Sequence, residues 1–385
     1  MNSIERQALN IWDLRRMAQQ RLPKLFFEFV DRGSEDEVGL GNNRMAIERI
    51  KIRPRVMVNV EQRSQEVELF GKVQKMPIVI SPTGIAGLLW HNGEIALARA
   101  AAAAGIPFTL ATTSVTAMEK VVDEAGGRLW YQMYMWPDRE MSYSLMERAS
   151  AANYEALVLT VDTAAAPNRE YNVRNGYSTS FRFTSRNVLD VLTHPRWMFG
   201  TLGHYLAEGG MPRFDNYPEA LRHRITDASF DQRSLMTQSM TWDDLRVIRK
   251  RWPRVLIVKG ILHPDDAKMA ADCGADAVVV SNHGARNVDS SVAPIDVLPE
   301  IVDAVGSRLT VLVDSGYRRG SDVVKALALG AKAVLIGRGT LYGVAAGGEQ
   351  GAARALAIYR EEIDRTMVYL GCAAIGDLNR GHLYP

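Results

Sequence analysis

The chain has 385 residues, 47% hydrophobic and 23% charged, which suits one large or two ordinary folded domains and argues against extended disorder. Lys+Arg 46 against Asp+Glu 44 leaves a net charge of +2, so there is no electrostatic footprint for nucleic acid. The only cysteines, Cys273 and Cys372, form no CxxC or zinc spacing. That excludes a disulfide scaffold, gives no metal site and fits a reducing compartment.

Residues 1–75 read as an N-terminal helical extension, with a helix at 11–22 and a capping box at Ser34-Glu35-Asp36-Glu37. The first residues, MNSIERQALNIWDLRRMAQQ, are charged throughout and lack a signal-peptide core, so a cytoplasmic location is expected. Peripheral contact with the inner membrane stays open. Strand runs then follow: MPIVISPTG (76–84), IPFTLAT (106–112), LWYQMYM (129–135) and ALVLTVDT (156–163). A second set is VLIVKG (255–260), AVVVSNHG (277–284), TVLVDSG (310–316) and AVLIGRG (333–339). Helical stretches alternate with them, among them GEIALARAAAAAG, SYSLMERASAANY, WDDLRVIRKRW, PDDAKMAADCG and GSDVVKALALG, two opening on Ser or Asp caps. Eight βα units predict a (β/α)₈ TIM barrel, one domain over 1–385. No GxGxxG follows any strand, which counts against a doubly wound dinucleotide fold.

Residues 164–240 form an insertion, expected to be a lid, between strands four and five. Within it, HPRWMFGTLGHYLAEGG (194–210) places Trp197, Met198, Leu202, Tyr205 and Leu206 on one face of an expected helix. That face suits packing on the barrel or on a neighbouring subunit. Membrane contact through 194–210 is the alternative, although the stretch lacks a Lys/Arg face.

Barrel chemistry sits at the C-terminal strand ends. Those ends hold Pro82-Thr83-Gly84, Thr112-Thr113, Gln132 and Tyr134, Thr160 and Asp162, and Lys259. They continue with His283 and Arg286, Asp314-Ser315-Gly316, and Gly337-Arg338. A lone buried histidine is usually structural, but Lys, His, Arg and Asp converging on one rim point to a reaction. Glycines and arginines after strands seven and eight are where barrels commonly hold phosphate. Gly316 and Gly337 would let backbone N–H groups approach an anion, and Arg338 would fork onto its oxygens.

SNHGARNVD, VDSGYRRGSDVVKALALGA with IGRGTLYG, LTVDT, WYQMYM and SPTG resemble the FMN-dependent 2-hydroxy-acid oxidases and dehydrogenases. That family includes glycolate oxidase, L-lactate dehydrogenase, flavocytochrome b2 and mandelate dehydrogenase, and the resemblance runs from residue 21 to about 371. It implies a noncovalent FMN. Its phosphate would meet Asp314, Ser315, Gly316, Arg318, Gly337 and Arg338. Gln132, Thr160 and Ser281 would contact the ring or ribityl chain, with Pro82, Thr83, Gly84 and Ala111 along the ring. Lys259 would stand near flavin N1 and O2. His283 would be the catalytic base, Asp162 its carboxylate partner, Arg169 and Arg286 the carboxylate clamp, and Tyr134 a hydrogen-bond donor to substrate.

Several positions depart from the family pattern. Phe29 stands where a tyrosine usually meets the substrate carboxylate, and Ala111 replaces a common serine. Thr113 replaces a bulky residue, and Asn287 a common glutamine. Gly84 replaces the alanine of many oxidases and favours an acceptor other than O₂. The chain ends at Pro385 with no attached cytochrome domain expected. The expected reaction is oxidation of an (S)-2-hydroxy acid, bulky or aromatic, to the 2-oxo acid. The expected partners are that small acid, a quinone-like acceptor or O₂, and further copies in a homotetramer. The alternatives are an O₂-using oxidase of lactate or glycolate type, or a flavin-binding homologue acting on a modified or carrier-bound substrate.

Overall fold

The computed structural model describes residues 3–176, 184–227 and 236–384. Eight short parallel strands close into a barrel in sequence order. They are β1 (Ile78–Ile80), β2 (Pro107–Ala111), β3 (Arg128–Tyr134), β4 (Ala156–Thr160), β5 (Val255–Ile261), β6 (Ala277–Val280), β7 (Thr310–Val313) and β8 (Ala333–Ile336). Every strand expected from sequence is present. Most are shorter, because the polar residues that follow each apolar run already belong to the loops. Strands covered on both faces must be apolar along their whole length, which is why they read as continuous runs.

One set of strand residues points inward. Val79, Trp130, Val158, Ile257, Val279, Leu312 and Leu335 pack there with Ala156, Ala277 and Ala333. Ala156, paired with Trp130 across β3 and β4, leaves room for its indole. A hairpin, Val67–Leu69 with Lys72–Gln74, closes the bottom of the barrel. Its turn places Phe70 and Gly71 at φ 55° and 73°, the left-handed pair a tight hairpin needs. Phe70 packs on Trp130 at 5.8 Å. The N-terminal extension therefore contains this hairpin as well as helices.

Helices fall where the sequence predicted them, including Ile11–Arg21, Gly93–Ala104, Trp242–Arg251, Pro264–Asp272 and Gly320–Ala328. Their caps differ. Arg139–Ala151 starts three residues earlier than expected, on Asp138, whose side chain accepts from Glu140 N at 3.0 Å. Ser142 lies inside that helix, where Oγ accepts from Trp136 N. The capping box at Ser34–Glu37 does not form: Ser34 Oγ donates to Ala285 O and Glu37 Oε1 accepts from Gly33 N. Ser34 thus joins the N-terminal segment to the barrel mouth, and Glu37 braces the turn at Arg32 and Gly33, so neither side chain caps the helix Val38–Arg49. The C-terminal helical segment Arg338–Leu370, broken at Gly347 and Gly348, packs on Ile11–Arg21 and Gly93–Ala104.

Of the expected insertion, residues 177–183 and 228–235 lie outside the described residues. Its 194–210 stretch forms one short helical rod: Pro195–Trp197, a π-helical turn Met198–Leu202, and Gly203–Ala207. Trp197 is buried, stacks on Phe26 at 4.8 Å and donates from Nε1 to Leu88 O. Tyr205 OH donates to Gly87 O. Leu206, expected on the same buried face, is 58% exposed, as is Phe199 at 70%. The π turn rotates the downstream residues away from the single face that a regular helix would keep.

Candidate active site

At the C-terminal end of β6 the backbone turns through three consecutive left-handed residues, His283, Gly284 and Ala285, at φ 58°, 68° and 57°. Such non-glycine residues cost roughly 1–3 kcal/mol each and persist only when surroundings over-determine them. They are over-determined here. His283 N donates to Ser281 Oγ, Gly284 N to Ser315 Oγ, and Ala285 N to Asn282 Oδ1. Asn282 is itself locked by two reciprocal amide bonds with buried Asn43. From outside, Ser34 N donates to Ala285 O and Arg338 Nη1 to Gly284 O. The core strand thus ends in a rigid turn that aims one imidazole.

That imidazole meets Asp162, with Nδ1 to Oδ1 at 2.9 Å. Asp162 can approach because β5 bulges between Lys259 and Ile261 around Gly260, at φ 113°. A Cβ on Gly260 would stand 2.7 Å from Asp162 Cβ. Burial opposes charge on Asp162, yet His283 and Lys259 hold its carboxyl below the usual range. Burial pushes His283 below its ordinary 6.5, more than Asp162 pulls it up, with Lys259 and Arg169 adding to the fall. At neutral pH the pair is therefore a carboxylate and a neutral imidazole. An ionised carboxylate only accepts, so Nδ1 carries the proton and Nε2 is left as a base.

The cavity in front of His283 has a volume of about 670 Å³, within the roughly 300–1,000 Å³ of ligand pockets. Arg169 and Arg286 share one side of it. Burial, then the adjacent Arg286 charge, pushes Arg169 down to about 9. Its Nε donates to Arg286 O at 3.0 Å. Arg286 donates to Arg32 O and stacks over the Phe29 ring at 5.2 Å. Two neighbouring guanidinium groups, with no carboxylate among the described residues bonded to either, form a site for an anion. Tyr134 lines the same space, its hydroxyl held protonated by burial and by Asp162.

On the other side lies a second set. Lys259 is buried, with Nζ 3.0 Å from Asp314 Oδ2 and 2.8 Å from Ser281 Oγ. Burial opposes its charge, but Asp314 and Asp162 hold its pKa above the usual value. Gln132 Nε2, Thr160 Oγ1, Tyr317 OH and Arg318 Nε are buried and have no hydrogen-bond partner among the described residues. All four residues line the cavity. Unpaired buried polar groups are costly, so they call for a ligand offering several acceptors along its length. A flavin mononucleotide has that character, with ring carbonyls and nitrogens at one end, hydroxyls in the middle and a phosphate at the other. The residues present fit it.

Most of the expected site residues line this one cavity: Phe29, Pro82, Thr83, Gly84, Ala111, Gln132, Tyr134, Thr160, Lys259, Arg169, His283, Arg286, Asp314, Ser315, Gly316, Arg318, Gly337 and Arg338. Asp162 stands behind His283. Ser281 is a correction: it is fully buried and does not line the cavity, because its hydroxyl is bonded to Lys259 and to the His283 amide. The fork expected from Arg338 is also redirected. Its Nε, Nη1 and Nη2 donate to the carbonyls of Val30, Gly284 and Arg32. Asp314 gives its carboxylate to Lys259 and Ser315, so its charge is neutralised rather than presented to an anion.

Sequence reasoning missed Tyr317 and an apolar wall made by Trp136, Phe214, Tyr217 and Met236. Tyr317 sits inside the glycine-arginine block, which was the available signal. Phe214, Tyr217 and Met236 come from the insertion, where no periodicity marks them.

Residues 18–385 match the family described as FMN-dependent dehydrogenase. The (S)-mandelate dehydrogenase of Pseudomonas putida is 40% identical over 374 residues, 97% of this chain and 93% of the relative. An L-lactate dehydrogenase of Azorhizobium caulinodans is 40% identical over 375 residues, 96% of this chain and 97% of the relative. The crystal structure of the monotopic membrane protein (S)-mandelate dehydrogenase superposes with a TM-score of 0.91 at 39% identity, covering 98% of this chain and 99% of that one. With a closed eight-stranded barrel and a large polar-lined cavity at its mouth, the chain belongs to the FMN-dependent dehydrogenase family.

Proposed function

We propose that the protein oxidises an (S)-2-hydroxy acid with a bulky, aromatic side chain to the 2-oxo acid. The observation that carries this reading is the facing arrangement, in one cavity, of the His283–Asp162 pair and the Arg169–Arg286 pair. FMN, when bound, supplies the two-electron acceptor. The guanidinium groups of Arg169 and Arg286 bind the substrate carboxylate and fix its angle. Nε2 of His283 takes one of the two protons the hydroxy acid loses, and Asp162 stabilises the imidazolium so formed. Tyr134 donates to a substrate oxygen. Lys259 stays cationic beside the cofactor and offsets negative charge that arrives there. Gln132, Thr160, Arg318 and Tyr317 would hold the cofactor through their otherwise unpaired groups.

The apolar lining residues Trp136, Phe214, Tyr217, Met236 and Phe29 support an aromatic substituent, and relatives named for mandelate agree. Gly84 supports a quinone-like acceptor over O₂. No helix among the described residues is long and apolar enough to cross a membrane. Exposed Leu189, Leu192, Phe199 and Leu206 support a peripheral membrane contact through the insertion, on the cytoplasmic side of the inner membrane. The reading includes a homotetramer, checked by sedimentation. A panel of mandelate, lactate and glycolate, each with a quinone-like dye and with O₂, tests the function. Fastest turnover of mandelate with dye is expected, and inertness to every acid would overturn it.

A further inference from the structure

A second cavity, of about 520 Å³, lies apart from the flavin site. Its walls come from the N-terminal helices (Met17, Arg21), the loop after β1 (Trp90, His91) and the insertion rod (Arg196, His204). Its charge is cationic. The Arg21 guanidinium stacks on the Trp90 ring at 4.1 Å and donates to Leu89 O and Thr201 Oγ1. Burial, then the neighbouring Arg196, pushes Arg21 down to about 10. Among the described residues, Arg21 bonds only carbonyl and hydroxyl oxygens, and no carboxylate is bonded to Arg196. His91 and His204 stack at 5.0 Å, and His91 Nε2 meets Glu208 Oε2. The π-helical turn Met198–Leu202 faces Arg21 through Thr201, and such turns recur at functional sites.

Cationic and apolar side chains share the rod. Arg196, Gly200 and His204 recur every four residues and line the cavity. Phe199, in the π-helical turn, and Leu206, after it, are exposed. A cationic cleft on a rod that also exposes apolar side chains matches a ligand that is an anion on an apolar stem.

We propose that this cleft is a phosphodiester site that takes the headgroup phosphate of an anionic phospholipid, while Phe199 and Leu206 beside it enter the acyl layer. The inference rests on the peripheral membrane contact proposed above and adds to it a defined headgroup site and a lipid preference.

The test is flotation of the holoenzyme with vesicles of phosphatidylcholine alone or with about a quarter phosphatidylglycerol. The wild type is expected to prefer the phosphatidylglycerol vesicles. Arg196→Gln should reduce that preference about fivefold, the effect of one basic residue at an anionic surface. Lys250→Gln, which removes an equal charge elsewhere on the surface, should change it less than about twofold. Phe199→Ser should weaken binding to both vesicle types alike. Arg21 is left intact because it also holds backbone carbonyls. An undiminished preference in Arg196→Gln, with vesicle binding retained, overturns the headgroup site and leaves the membrane contact standing. Binding to neither vesicle by the wild type overturns both. Millimolar inorganic phosphate should not release the protein. Release, with phosphate bound by the wild type and not by Arg196→Gln, would make this a soluble-phosphate site and overturn the lipid assignment.

Discussion

Replacing Asp162 by Asn removes one charge from the His283 pair and leaves its size unchanged. The bond it weakens is 2.9 Å long and enclosed. A hydrogen bond to a charged group in such surroundings contributes about 1.5–3 kcal/mol. That contribution grows during the reaction, because His283 is neutral before it takes the proton and cationic afterwards. The loss should therefore fall on the chemical step, slowing flavin reduction about 10- to 150-fold at saturating substrate. The pH dependence has a definite sign. As the proposed base, His283 must be unprotonated to act, so the rate should fall on the acid side of its pKa, which burial holds below its ordinary range. Asp162 raises that pKa, and its removal must move the acid limb to lower pH. The assay is anaerobic stopped-flow bleaching of the flavin across pH, with bound FMN checked by absorbance. A limb that moves to higher pH, or an unchanged limiting rate, would refute the assignment of base and partner.

Arg286→Lys keeps a cation but loses the planar fork, its bond to Arg32 O and its stacking on Phe29. It should raise KM and lower kcat, each by about tenfold, in steady-state assays. A Cβ on Gly84 would collide with Thr113 Oγ1, so Gly84→Ala should alter the rates of reoxidation by dye and by O₂. Adding Thr113→Ala, which opens that space, should reverse the change if the collision causes it. Phe29→Tyr should tighten lactate binding by about 10-fold or more through one added bond to a carboxylate and weaken mandelate binding, as read from KM.

The barrel was legible because a strand buried on both faces leaves a continuous apolar run, and eight such runs recur with helices between them. The candidate site was legible because its residues follow those runs directly, as His283 follows Val278-Val279-Val280. Three consecutive left-handed residues were not, since only Gly284 among them signals that conformation. Hydrogen-bond partners across the fold were equally hidden. Ser281 looks like a ligand to the cofactor until its hydroxyl is seen between Lys259 and His283 N. Arg338 looks like a phosphate fork until Val30 and Arg32 arrive from about 300 residues away in sequence. Ser34 and Glu37 have capping-box spacing, but Ala285 and Gly33 compete for them successfully.

The proposed reaction depends on His283 acting as the base of a 2-hydroxy-acid dehydrogenase. Anaerobic mixing of the FMN-loaded wild type and His283→Gln with (S)-mandelate tests it most directly. The wild type should bleach rapidly. His283→Gln should keep its FMN and bleach about 10²- to 10⁴-fold more slowly. Bleaching of His283→Gln at close to the wild-type rate would mean that another group takes the proton.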